Sequence, residues 1–396
     1  MVTERELICQ LNYGTETVMA DVVISQSDDC SVIATITPHQ QISLISSNVD
    51  CFIESIPNGL SSLLLKKTPI TISEQNIQLE AKLGLAELEL QNLPQDREIV
   101  SVRMYLTNLF DPYYYKNNIK FDINIPGQPQ VVLSAHTEGT ISHIAEVSQI
   151  PYSDLEKIKK LVDSICWLCS FASGRLSAVA RMEVLRNEEL IYQELTSVDP
   201  TLNKGPKVIF DVDDLTQFIE HSYKYYQQIA TTYNLKNLIN LGLLAKHTPY
   251  TEVQTLLMCN FLEVLRYNYA LKVGCPSGVF RHRQTQDDFY WDRNLSKSGK
   301  AFFEDILTHF VEANMLSGWS SDFKNIRNEI VHTGNITASD HREKIQKYQD
   351  LHHFCDRVIL ALLQWDLVSG HYIPRNSPTN PNPEVIVGVN RVLFTK

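Results

Sequence analysis

Long apolar runs are missing from this chain: no uninterrupted stretch approaches the roughly 20 residues that a membrane span requires. The opening residues, MVTERELICQ, are charged and have no apolar centre, so they do not read as a secretory signal. Bulk positive charge is missing too. The 396 residues hold 35 Lys+Arg against 46 Asp+Glu, a net charge of -11, which speaks against a protein that coats nucleic acid by electrostatics alone. Paired zinc-type cysteine motifs are lacking: Cys166-Trp167-Leu168-Cys169 is the only CxxC, and a structural zinc site commonly takes two such pairs. There is no internal repeat, and the only low-complexity block is the proline-bearing NSPTNPNPE near the end, which excludes helix there. What is present is 43% hydrophobic and 20% charged residues, enough to bury cores in two or three domains and too apolar for a disordered chain.

The charge is divided unevenly. Residues 1–150 hold 8 Lys+Arg and 18 Asp+Glu, whereas the remainder is almost neutral. The eight cysteines are scattered, which fits reduced thiols in a cytosolic protein. Cys166 and Cys169 fall on the apolar stripe of a predicted helix, where thiols act as small hydrophobes.

The hydrophobic period changes near residue 150. Before it, REIVSVRMYLTNLF alternates, with Val100, Val102, Met104 and Leu106 on one face and Ser101, Arg103 and Thr107 on the other. Phe121, Ile123 and Ile125 repeat the pattern, and TVMADVVIS, SVIATITP and QVVLSAH add β-branched runs between turn signals. No Gly-rich phosphate loop occurs in this part. After Pro151 the period is helical: Ser153-Asp154-Leu155-Glu156 predicts a capping box, followed by a stripe from Leu155 to Cys169. Further helices are predicted at about 212–232, 235–246, 251–272, 298–317, 321–333 and 340–368, with loops at 195–207 and 273–296. The predicted organisation is α+β: an antiparallel β-rich domain at 1–148, linking helices and loop at 149–209, a helical bundle at 210–370, and a tail at 371–396 with a late strand in EVIVGVNRVLF.

The most informative segment is SSDFKNIRNEIVHTGNI, residues 320–336. Ser320 or Ser321 can cap a short helix, Phe323, Ile326 and Ile330 supply its buried stripe, and Gly334 can end it in a left-handed turn. Arg327 is followed by Asn328 and, five positions on, by His332 in the last turn, where the negative end of the helix suits a cationic ring. An arginine can neutralise a phosphate and the charge that grows in its transition state. A histidine can take the proton of an RNA 2′-hydroxyl or give one to the leaving oxygen. The 2′-hydroxyl is itself the nucleophile, so this chemistry calls for no metal and no cofactor. No other arginine in the chain has a histidine five to seven positions later.

At these residues the chain resembles the HEPN superfamily, whose signature is Arg, a polar residue, three to five further residues, then His. The resemblance covers residues 210–370, and the β-rich region ahead of the bundle is similar to ApeA-type anti-phage proteins. It implies a metal-independent endoribonuclease of bacterial defence, acting as a homodimer whose two motifs face each other, with RNA as substrate and a phage-derived trigger or regulator on the β domain. It makes Arg327, Asn328 and His332 catalytic and Glu263, in FLEVLRYNYA, an orienting partner for Arg327. The superfamily also includes non-catalytic scaffolds and toxins of toxin–antitoxin pairs. Some of those toxins carry a modified tyrosine two positions after the histidine; Gly334 stands there, so control by that route is not expected. For RNA contact, the densest basic and aromatic stretch offers Arg281, Arg283, Arg293, Lys297 and Lys300 beside Tyr290 and Trp291, and His353 can line a groove. Asp287, Asp288 and Asp292 interrupt that stretch, so an ordinary solvated loop is the competing reading.

Overall fold

The computed structural model describes residues 3–13, 16–39, 51–55, 68–70, 72–75, 78–83, 85–89, 93–109, 120–198, 208–209, 212–292, 299–314, 316, 318–365, 371–372 and 384–385. Antiparallel sheets come first and helices follow, the α+β class that the sequence predicts. The chain forms two compact units: Met1–Cys166 with Leu176–Asn203, and Trp167–Arg175 with Lys204–Lys396.

The first unit holds two antiparallel sheets. One comprises β1 (Thr3–Tyr13), β2 (Glu16–Gln26), β3 (Val32–Pro38), β4 (Cys51–Ser55), β5 (Thr68–Ile70), β6 (Ile72–Gln75) and β7 (Gln78–Leu83), in the order β5-β4-β1-β2-β3-β7-β6. Ala20, Val22 and Ile24 are buried with Val32, Ala34 and Ile36, so alternate residues of β2 and β3 form its apolar face. The other comprises β8 (Leu85–Glu89), β9 (Ile99–Thr107), β10 (Lys120–Ile123), β11 (Val131–Glu138), β12 (Ile141–Pro151), β13 (Val179–Arg186) and β14 (Glu189–Thr196), in the order β10-β11-β12-β9-β13-β14-β8. Side-chain bonds tie the sheets together: the Gln26 amide donates to the Ala180 carbonyl at 2.8 Å, and the Val32 N–H donates to Ser197 Oγ at 2.8 Å. In β9 the predicted face of Val100, Val102, Met104 and Leu106 is buried. Thr107 on the opposite face is buried as well, because β9 lies in the middle of its sheet, between β12 and β13.

Residues 149–209 depart from the predicted linker of helices and loop. They contain one long helix, α1 (Leu155–Ser173), and then the β13–β14 hairpin, which pairs with β9 and so belongs to the sheet. Ala180, Met182 and Val184 are buried on it. The unit boundary consequently runs through α1 and not near residue 148. The predicted capping box is replaced by a 3-10 turn, Tyr152–Asp154, where the backbone N–H groups of Tyr152 and Ser153 donate to Glu98 and Asp96 carbonyls.

In the second unit the helices are α2 (Val212–Tyr233), α3 (Leu235–His247), α4 (Thr251–Tyr269), α5 (Phe303–Ala313), α6 (Asp322–Thr333) and α7 (His341–Leu362), each beginning close to its predicted position except α5, which starts later. Phe218, Tyr226, Tyr233, Phe261, Phe310 and Phe354 are the large side chains at its centre. Asn234, at φ 55°, lets the chain turn from α2 into α3 without a loop. A π-helical turn, Ala270–Gly274, continues α4. Gly274 faces the Phe280 ring so closely that a Cβ would lie 2.3 Å from it, which is why no larger residue fits. The predicted loop at 273–296 contains a hairpin of β15 (Phe280–Arg283) and β16 (Asp288–Trp291). Of the predicted late strand only Glu384–Val385 is described, paired with His371–Tyr372; the rest lies outside the described residues. Among the described residues no helix is long and apolar enough to cross a membrane.

Candidate functional site on the helical unit

The apolar period of α6 decides what it presents. Phe323, Ile326 and Ile330 are each 4% exposed and fix the inward face. Burial of three such side chains contributes about 1.5–3 kcal/mol apiece. At about 100° per residue, Asn328 and His332 then share the outermost strip, and Arg327 falls on a flank. Ser320 Oγ accepts the Asp322 N–H at 3.1 Å, so Ser320 and not Ser321 provides the side-chain bond at the start. Gly334, at φ 67°, closes the end with its N–H on the Ile330 carbonyl.

The flank carrying Arg327 lies against α4. Arg327 Nε donates to Glu263 Oε1 at 3.0 Å, and Nη2 sits 2.9 Å from the same oxygen. Nη1 donates to Asn328 Oδ1 at 2.9 Å, and the guanidinium carbon stands 5.7 Å from the centre of the Phe303 ring. The other Glu263 oxygen accepts Arg266 Nε at 2.8 Å, and Arg266 in turn lies over Phe289 of β16. One carboxylate therefore holds two guanidiniums. A guanidinium has five N–H groups. Glu263 and Asn328 occupy three of those on Arg327, and the group stays partly exposed, so donors remain for an arriving anion. Beneath it, burial pushes the Cys259 thiol up to about 12 even with the Arg327 charge opposing. That leaves Cys259 a neutral packing group.

His332 is exposed. It lies about 7.5 Å further along the axis than Arg327 and about 140° round it, so the two side chains of one helix do not converge on a point. The same two helices carry exposed apolar side chains: Val331 is 49% exposed on α6, with Val253 at 43% and Leu256 at 36% on α4. The helices run in opposite directions. Glu263 meets Arg327, while Lys344 bridges Glu252 at the start of α4 to Asn335 beyond the end of α6.

The other RNA-contact expectations fare differently. Arg281 and Lys300 lie on or beside a hairpin, and each faces an acid: Arg281 Nε is 3.9 Å from Asp292, and Lys300 Nζ is 2.7 Å from Asp288. His282 likewise contacts Asp287 at 2.8 Å. The acids that interrupt this stretch in sequence thus neutralise it in space. Arg283 is exposed, whereas Arg293 and Lys297 lie outside the described residues. His353 is corrected from a groove residue to a core residue: only 8% of it is exposed, because α7 is buried on nearly every side from Leu351 onward. Cys166 and Cys169 are buried, as are His352 and Cys355. A pocket of about 390 Å³ between α2 and the end of α7, lined by Lys224, Tyr225, Gln228 and Gln364, contains none of the motif residues.

Sequence reasoning missed Arg266, which pairs with Glu263 three residues earlier on α4, and Phe303, which meets Arg327 from another segment. It also missed Tyr250, which is 68% exposed immediately before α4. An aromatic residue following His247-Thr248-Pro249 at a helix start was the only signal for it.

The fold and this cluster together define a class: a two-part α+β protein with a fixed arginine and an exposed histidine on one surface helix. Compared with protein-family models, curated proteins and solved structures, the chain matches none.

Proposed function

We propose that the chain is a metal-independent endoribonuclease of HEPN type. The observation that carries this reading is the fixed Arg327: one carboxylate on α4 and the neighbouring amide hold it, partly exposed, on the helix that also bears an exposed histidine five residues on. In the reaction an RNA 2′-hydroxyl attacks the adjoining phosphorus, the bond from phosphorus to the 5′-oxygen breaks, and the products are a 2′,3′-cyclic phosphate and a 5′-hydroxyl. Arg327 neutralises the non-bridging oxygens as charge accumulates on them. His332 takes the 2′ proton or supplies one to the leaving oxygen. Because Arg327 and His332 of one helix diverge, a complete site draws on two copies of the chain. The open apolar strip of Val253, Leu256 and Val331 is surface that a second copy covers.

The setting that goes with this reading is cytoplasmic anti-phage defence, the acidic β-rich unit receiving the trigger. Labelled RNA incubated with the pure protein in EDTA tests the chemistry. Cleavage by the wild type, lost in Arg327→Ala and in His332→Ala with unchanged thermal melts, is the expected result. Equal cleavage by all three, or none by the wild type in infected-cell extract as well as in buffer, refutes it.

A further inference from the structure

Three helix ends meet beside the α6 motif. Lys344 Nζ, on the first turn of α7, lies 2.8 Å from Glu252 Oε1 on the first turn of α4 and 2.8 Å from Asn335 Oδ1, just past the end of α6. His332 is three residues before Asn335, and Tyr250 is two residues before Glu252. Both therefore stand within about one helical turn of this bridge. Tyr250 is the most exposed large apolar side chain described, at 68%.

The carboxylates here are engaged: Glu252 by Lys344, Glu343 by Lys347 and the Ser339 N–H, Asp340 by the Glu343 N–H, and Glu329 by the Thr337 N–H. Arg342 and His341 are exposed on the first turn of α7, and among the described residues Arg342 and His332 have no carboxylate partner. The Lys344 ammonium, and to a smaller degree His341, hold the Glu252 carboxyl below its usual range, so His341 also lies close to this meeting point. An open aromatic ring thus stands near the Lys344 bridge, and on the first turn of α7 beside that bridge Arg342 is exposed with no carboxylate partner among the described residues.

We propose that this end of the helical unit binds an unpaired RNA nucleotide, its base stacked on Tyr250 and its phosphate held by Arg342 and His341, next to the scissile position. The inference rests on the endoribonuclease reading and names its substrate class: single-stranded RNA, since a base inside a duplex has no free face to offer a side chain. It moves the contact surface from the hairpin at 280–291, whose basic groups face acids, to the start of α7, where Arg342 is exposed without a carboxylate partner among the described residues. Stacking tolerates any base, so Tyr250 confers strand preference and little sequence preference.

Fluorescence anisotropy with the full chain and a labelled 2′-O-methyl oligoribonucleotide, which cannot be cleaved, tests it. Tyr250→Ala is expected to weaken binding of the single strand by about 5- to 100-fold and leave duplex binding unchanged, while Tyr250→Phe binds as the wild type. Arg342→Gln is expected to reduce the slope of log affinity against log salt by about 0.7. These side chains are exposed, so a melt matching the wild type verifies the fold. If Tyr250→Ala and Arg342→Gln bind the single strand as tightly as the wild type, the proposal is overturned, even when the wild type cleaves RNA and Arg327→Ala does not. If the wild type neither binds nor cleaves RNA, the endoribonuclease reading falls and takes this inference with it.

Discussion

At the scale of single residues, Glu263 is the most consequential side chain that the motif itself does not contain. It holds Arg327 with one oxygen and Arg266 with the other. Glu263→Gln leaves two guanidiniums sharing an uncharged amide, so Arg327 is free to turn. RNA cleavage is expected to fall by about 100-fold, the scale of a small misplacement at a reacting centre. Stability is expected to change by only about 1 kcal/mol, since all three side chains are one-fifth to one-third exposed and screened. Single-turnover cleavage beside a urea melt separates the two effects; a large loss of stability would make Glu263 a structural residue only. In the first unit, His143 is 1% exposed, and burial lowers its pKa from 6.5 to about 4. It stays neutral in the fold while the unfolded chain accepts a proton. Its contribution is therefore complete above about pH 6.5 and is lost as the pH falls toward 4, on the order of 3 kcal/mol over that window. Urea melts of the wild type should show this decline, and those of His143→Asn should be flatter.

At the scale of elements, the glycines that close α6 and the π-helical turn after α4 behave differently under perturbation. A Cβ at Gly334 meets nothing within 4 Å, so Gly334→Ala costs only the left-handed backbone, about 1–2 kcal/mol. Gly274→Ala drives a methyl into the Phe280 ring and should cost more, a ranking that thermal melts can check. At the start of α7, bonding to Ser339, assisted by Lys347, depresses the Glu343 carboxyl from 4.5 to about 2. This support is present above its ordinary pKa and is lost as the pH falls toward 2, seen as faster amide exchange in the first turn of α7. Helix α6 was legible in the sequence because three apolar residues at helical spacing and a closing glycine agree with one another. The β13–β14 hairpin was not. Its two turn residues, Asn187 and Glu188, both adopt positive φ, at 53° and 68°, but a glutamate there hides the usual Asn-Gly signal. The hairpin at 280–291 was read as a loop because its strands are only four residues long and dense in charge. The orientation of His353 was illegible for another reason: Leu351 through Asp356 are all buried, so α7 has no polar face there to set the register. Arg266 was legible as an i,i+3 partner of Glu263 on α4, whereas Phe303 meets Arg327 from another segment, which spacing within one segment does not encode.

At the scale of the whole molecule, the acidic excess belongs to the first 150 residues and the candidate site to the second unit. If the site is completed by two copies, light scattering should give twice the mass of one chain, and Leu256→Lys with Val331→Lys should yield monomers that no longer cleave RNA. Retained cleavage by a monomer would exclude a composite site. Separating the units by truncation is predicted to fail. A fragment starting at residue 149 keeps the β13–β14 hairpin but loses β9, so Met182 and Val184 lose their sheet. Its aggregation on gel filtration is the expected outcome. The division of α1 between the units has a further consequence in time. Synthesis proceeds from the N-terminus, so the ribosome delivers residues 167–175 of the second unit before the hairpin at 179–196 that completes the first. The first unit must wait for a segment made after its neighbour has begun, and a nascent chain paused near residue 176 holds both units unfinished.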